Sequence, residues 1–140
     1  MSKVAIIYWS GTGNTEAMAN LIKSGAETAG AAVSLLEVTK ASAASLDADA
    51  VALGCPAMGA EVLEEGDFEP FLASVETRLS GKKLALFGSY GWGDGTWMRE
   101  WTERMTKAGA VLVAPSLAVN EAPAGEDAEK CKQLGASLAG

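Results

Sequence analysis

A chain of 140 residues corresponds to one domain, 1–140, since domains run from about 100 to 200 residues and bury roughly 70% of their unfolded surface at this size. Hydrophobic residues at 49% and charged residues at 21% exclude disorder, collagen and coiled coil. The net charge of −7 is lopsided, with three bases and ten acids in residues 1–70 against eight of each in 71–140, which argues against nucleic-acid or anionic-membrane binding and for a basic partner protein.

The first apolar run, Val4 to Trp9, is nearly continuous, the pattern of a strand covered on both faces. It leads into Ser10-Gly11-Thr12-Gly13-Asn14-Thr15 and then a segment of helical period. A second run, Ala32 to Val38, is followed by Thr39 to Asp49, too short for an assigned helix. The third run, Ala50 to Cys55, ends in the loop Pro56 to Glu69. Phe68, Phe71, Leu72, Val75 and Leu79 then share one helical face, with Pro70 tolerated in the first turn. The fourth run, Leu84 to Ser89, precedes Tyr90 to Gly95. Trp97, Trp101 and Met105 form a further helical stripe, closed by Gly109. A fifth run spans Val111 to Val119, and Ala128, Cys131, Leu134 and Leu138 line one side of a last helix. Alternating strands and helices predict a doubly wound α/β domain with a parallel sheet and right-handed crossovers. No stretch approaches the roughly 20 apolar residues of a membrane span, and no signal peptide opens the chain, so a soluble cytoplasmic protein is expected.

Histidine is absent, which removes the usual general base near neutral pH and the commonest metal ligand. Cys55 and Cys131 lie far apart without Cys-x-x-Cys spacing, so no zinc or iron–sulfur site is expected and both thiols are read as reduced and buried. In doubly wound sheets ligands bind beyond the carboxyl ends of the strands, which directs attention to the loops after the first, third and fourth runs.

The first of these loops joins a strand to a helix, where free N–H groups and the helix dipole favour an anion, and its glycines and hydroxyls supply donors with no lysine or arginine. The competing reading is a tight turn in which Asn14 or Thr12 caps the helix. A Walker A loop needs Gly-Lys-Ser/Thr, whereas Asn14 follows Gly13; a dinucleotide fingerprint needs a third glycine where Glu16 stands, although Glu37 imitates its ribose-binding acid. A phosphate monoester, and so a mononucleotide, suits the loop best. Trp92 between Gly91 and Gly93 is expected to be exposed for stacking on a planar ligand, the alternative being a lid folded on the core. Trp97 and Trp101 are assigned to the core, and Trp9 is left ambiguous. Met58-Gly59-Ala60-Glu61 offers a polarizable side chain, a flexible peptide and a carboxylate. Glu64, Glu65, Asp67 and Glu69 are read as solvated.

The WSGTGNTE loop, the GCPAMGAEVLEE and GSYGWGDGTWM segments and the uninterrupted final strand together resemble a short-chain flavodoxin of the anaerobic bacterial type, over essentially the whole chain. The resemblance implies a five-stranded parallel sheet of order 2-1-3-4-5, one non-covalent FMN, and a monomeric, low-potential one-electron carrier between redox partner proteins with basic docking faces rather than an enzyme. It implies that Ser10, Thr12, Asn14 and Thr15 with the amides of Gly11 and Gly13 hold the phosphate. Trp92 would stack on the outer flavin face and Met58 on the inner one. Amides around Gly91, Trp92 and Gly93 would reach the pyrimidine carbonyl, Glu61 would accept from the ring imide, and Ala57, Ser89 and Tyr90 would line the same cleft. Pro56 stands where some relatives carry a serine near the phosphate, and Ala60 replaces a residue that is often aspartate, serine or glycine. In similar proteins the peptide after Gly59 reorients when the flavin takes up one electron. Two other readings are a small FMN-dependent NAD(P)H:quinone reductase, which needs extra loops for a second planar molecule, and a flavin storage or signalling domain.

Overall fold

The computed structural model describes residues 2–59 and 61–140. Strands β1 (Lys3–Tyr8), β2 (Ala32–Glu37), β3 (Ala50–Gly54) and β4 (Lys83–Tyr90) pair in parallel in the order β2-β1-β3-β4. The predicted fifth strand is interrupted. Val111–Leu112 (β5) pairs with Lys83–Leu84 and Leu117–Asn120 (β6) with Phe87–Tyr90, so two short strands share the same edge of β4. Pro115 lies in the interruption; it has no N–H to give to a ladder, which accounts for the chain leaving the sheet there. The order is the expected 2-1-3-4-5 with a sixth strand beside β4, and helices flank both faces of this doubly wound sheet.

The helices are α1 (Asn14–Thr28), α2 (Phe68–Val75), α3 (Thr96–Lys107) and α4 (Glu126–Ala139), with single 3₁₀ turns at Val38–Lys40, Ala43–Leu46 and Glu76–Arg78. The segment left unassigned after β2 thus holds two of these turns. Two apolar layers sandwich the sheet. Odd positions of β1, Ala5 and Ile7, face α2 and α3 with Phe68, Leu72, Trp97 and Trp101. Even positions, Val4, Ile6 and Tyr8, face α1 and α4 with Met18, Ile22, Cys131 and Leu134. This is the period-2 alternation of a strand buried on both sides. Both cysteines are buried and free, and among the described residues no helix is long and apolar enough to cross a membrane.

Glu64 departs from the sequence expectation. It is 9% exposed rather than solvated, and its Oε1 accepts from the N–H groups of Asp67 and Phe68 at 2.8 Å each while Oε2 accepts from Gly66 at 2.6 Å. The carboxylate thereby caps α2, whose formal N-cap residue Asp67 makes no side-chain cap bond. Burial opposes ionisation of Glu64, but the three N–H donors outweigh it and hold the carboxyl below its usual range. Glu69 is likewise not a freely solvated acid: both its oxygens bind Arg104, at 2.6 and 2.8 Å, and Glu76 binds the same guanidinium, which ties α2 to α3. Glu65 and Asp67 are exposed as expected.

Candidate functional site

The carboxyl ends of β1, β3 and β4 converge on a cleft of about 310 Å³. Gly11, Thr12 and Asn14 line it from the first loop, Pro56 to Gly59 from the second, and Ser89 to Gly91 from the third. Trp9 and Glu121 complete the wall. A volume of this size is within the range of small-molecule and cofactor sites.

Gly13 occupies the N-cap of α1 at φ 99, a left-handed conformation that a side chain adopts only at a cost. Neither Thr12 nor Asn14 caps the helix. The Ser10 hydroxyl oxygen accepts instead from Gly13 N–H at 3.1 Å and Glu16 N–H at 3.2 Å, leaving its own proton to donate. The N–H groups of Gly11, Thr12, Asn14 and Thr15 donate to no protein acceptor among the described residues. Four unspent amides at the start of a 15-residue helix are an anion site built from dipoles alone. A Cβ on Gly11 would stand 3.0 Å from the Trp9 ring, close enough that the indole would have to shift by a few tenths of an ångström.

The second loop is closed by Met58 N–H to the Val62 carbonyl at 3.0 Å and Glu61 N–H to the Met58 carbonyl at 2.8 Å. Met58 lines the cleft, and the space that a side chain on Gly59 would occupy is open, so packing does not demand a glycine there. Ala60 lies outside the described residues. Glu61 sits at φ 52 and does not line the cleft; its Oε1 accepts from Gly95 N–H at 3.3 Å and its carboxylate rests against Gly93, so it binds the second loop to the third. Cys55, just before this loop, is inert: burial pushes its thiol up to about 12, although the Glu64 N–H donated to its sulfur pulls the other way.

In the third loop Gly91 lines the cleft and Trp92 beside it is 65% exposed, free of the core as expected. Trp97 and Trp101 are buried, and Trp97 Nε1 donates to the Cys55 carbonyl at 3.1 Å. Of the residues singled out in the sequence, the structure gathers ten along the cleft. Ser10, Gly13 and Thr15 support it from behind, while Glu61, Trp92 and Gly93 stand outside its wall. Glu121 was missed. It takes φ 59, its N–H donates to the Tyr90 carbonyl at 2.8 Å, and nothing in Asn120-Glu121-Ala122 signals a left-handed turn. Trp9, ambiguous in the sequence, lines the cleft, and the signal that points there is its position just past the carboxyl end of β1.

An uncharged anion nest, a cleft walled by Trp9, Met58 and Tyr90, and an indole left exposed at its edge fit a phosphate monoester joined to a planar ring, a description that the FMN implied by the resemblance meets.

The protein-family model described as Flavodoxin matches residues 6–135. A flavodoxin of Clostridium beijerinckii is 50% identical over 136 residues, covering 96% of this chain and 97% of the relative. One of Megasphaera elsdenii is 46% identical over 137 residues, 97% of this chain and 98% of the relative. The solution structure of two-electron reduced Megasphaera elsdenii flavodoxin superposes with a TM-score of 0.89 at 45% identity, covering 97% of this chain and 98% of that one. The chain belongs to the flavodoxin family, FMN-bound electron carriers rather than enzymes with a substrate of their own.

Proposed function

We propose that the protein is a low-potential, one-electron carrier that works as a monomeric single domain in the cytoplasm and docks redox partners through basic faces on their side. The observation that carries the reading is the convergence of the unspent α1 amides and the Met58 and Tyr90–Gly91 walls on one cleft. In this reading the amides of Gly11, Thr12, Asn14 and Thr15 and the free protons of the Ser10 and Thr12 hydroxyls hold the phosphate, while the Gly13 N–H, expected to join them, is spent on Ser10 Oγ and shapes the turn. Met58 and Trp92 cover the two ring faces. The N–H groups of Gly91, Trp92 and Gly93 serve the pyrimidine carbonyl. Bound there, FMN supplies reversible one-electron chemistry, and the protein sets the potential by binding its oxidation states unequally.

Glu61 has one oxygen committed to Gly95 N–H, which leaves the other to accept from the ring imide. Nothing lies within 4 Å of where a Cβ on Gly59 would stand, which favours the reorientation of the peptide after Gly59 that the resemblance implies. The charge of −7, with Glu65 and Asp67 exposed beside the second loop, favours a basic docking partner and disfavours a second negative charge on the flavin. The reading as a quinone reductase is not favoured, because 46–50% identity across nearly the whole length relates this chain to flavodoxins.

The test is a visible spectrum of the purified protein followed by dithionite titration. One FMN per chain, reduced in two resolved one-electron steps, is expected. A colourless protein that stays colourless on adding FMN refutes the assignment, and direct steady-state oxidation of NADPH by the protein alone supports the reductase instead.

A further inference from the structure

The β3–β4 ladder loses one rung at the cleft. Cys55 N–H donates to the Phe87 carbonyl and Ala57 N–H to the Ser89 carbonyl, each at 3.1 Å. In a continued parallel ladder the Ser89 N–H between them meets the Cys55 carbonyl. That carbonyl accepts from Trp97 Nε1 instead, and Ser89 N–H donates to Thr15 Oγ1 at 3.3 Å. The Ser89 hydroxyl donates to the Glu121 carbonyl at 2.7 Å. Each of the three polar groups of Ser89 therefore ends on a different loop: the N–H on the phosphate loop, the carbonyl on the Met58 loop, and the hydroxyl on the loop held at Glu121.

Ser89 and Thr15 are 5% and 1% exposed, so water does not replace a partner lost from this junction. Glu121 is the far end of the chain of bonds, held in its left-handed conformation by the Ser89 hydroxyl on its carbonyl and the Tyr90 carbonyl on its N–H. An anion that orders the first turn of α1 fixes Thr15, and through it the backbone of Ser89 and the two loops attached to that backbone.

The geometry points to Ser89 as a positioning residue that couples the phosphate loop to the loops lining the rest of the cleft, so that the two ends of the flavin ligand bind cooperatively. A loop ordered by one end of the ligand no longer has to be ordered by the other, which is a coupling free energy between two subsites. The inference rests on the phosphate lying at residues 10–15.

The experiment compares dissociation constants of FMN and riboflavin, which differ by the phosphate, for flavin-free wild-type and Ser89→Ala protein. Ser89→Ala cuts the hydroxyl bond to Glu121 and keeps the backbone bonds to Thr15 and Ala57, so the coupling carried to the Glu121 loop predicts a riboflavin-to-FMN ratio that falls about fivefold. If the hydroxyl merely lines the cleft, both constants rise by the same factor and the unchanged ratio overturns the coupling through Glu121. A wild-type ratio near one refutes the phosphate placement itself, which separates the two failures. Hydrogen exchange on wild-type protein decides the matter if the variant does not fold. Adding inorganic phosphate is expected to slow the amides of Ala57, Ser89 and Glu121 together, severalfold. Protection confined to residues 11–16 overturns the coupling.

Discussion

Gly13→Ala perturbs the anion nest without touching its surroundings. Gly13 stands at φ 99 with nothing within 4 Å of where a Cβ would be, so the added methyl meets no atom and the cost is that of the left-handed backbone alone, about 1–2 kcal/mol. Gly30, just past the other end of α1, supplies a matched control, with φ 98 and the same open space. Alanine at Gly30 is expected to lower the stability of the flavin-free protein by that same amount and to leave FMN affinity unchanged. Alanine at Gly13 divides the cost. Whatever strain the free loop relieves by leaving φ 99 must be restored when phosphate binds, so the losses in flavin-free stability and in binding add up to about 1–2 kcal/mol. In the limit of full relaxation the dissociation constant rises roughly 5–30-fold. Urea unfolding and fluorescence-quench titration of both variants give the two quantities. A Gly13→Ala protein as stable as wild type and as tight for FMN refutes the reading of this glycine.

Further consequences concern the supports of the site. Glu64→Ala removes a carboxylate cap with three N–H donors and is expected to cost about 1–3 kcal/mol, roughly 3–10 °C in Tm, with Glu64→Gln losing less because its remaining oxygen still serves Asp67 and Phe68. Because the folded carboxyl lies below its unfolded value, this stabilisation is fully present above the ordinary glutamate range and is lost as pH falls through the folded pKa; wild type and Glu64→Gln should converge in acid melts, and a pH-independent gap contradicts the cap. Trp97→Phe strands the Cys55 carbonyl, whereas Trp101 Nε1 has no partner to lose, so the Trp97 variant should be about 1–2 kcal/mol the less stable of the two by chemical denaturation. Neutralising exposed Glu65 and Asp67 together should raise the second reduction potential by tens of millivolts at low salt, since an acid about 10 Å from the ring opposes its charge by roughly 0.4–1.7 kcal/mol and about 1.4 kcal/mol corresponds to 59 mV for one electron. A shift of equal size in molar salt contradicts that electrostatic origin.

Much of the molecule was legible because burial writes itself into pattern. Continuous runs such as Ala50 to Cys55 read as doubly covered strands, and the Trp97, Trp101 and Met105 stripe read as a core helix. The nest of unspent amides before α1 was legible from glycines and hydroxyls after a strand. What escaped depended on tertiary placement. Glu64 has the same local sequence appearance as its neighbour Glu65, yet one is folded under the start of α2 and the other faces water. The run from Val111 to Val119 looks uninterrupted in hydropathy, and the mark of the break between Leu112 and Leu117 is Pro115, which cannot donate to a ladder. Ser89 and Thr15 were each legible as site residues, but nothing in the sequence pairs them across 74 residues; their hydrogen bond accompanies the one from Trp97 to the carbonyl that a continued ladder would offer Ser89.

The central claim, that neutral amides and hydroxyls around Gly13 grip the phosphate of FMN, is tested most directly by titrating flavin-free protein with FMN and with riboflavin under one buffer condition. The account predicts one tight FMN site and binding of riboflavin at least 100-fold weaker. Equal affinities for the two flavins, or no binding of FMN at micromolar concentration, would contradict it.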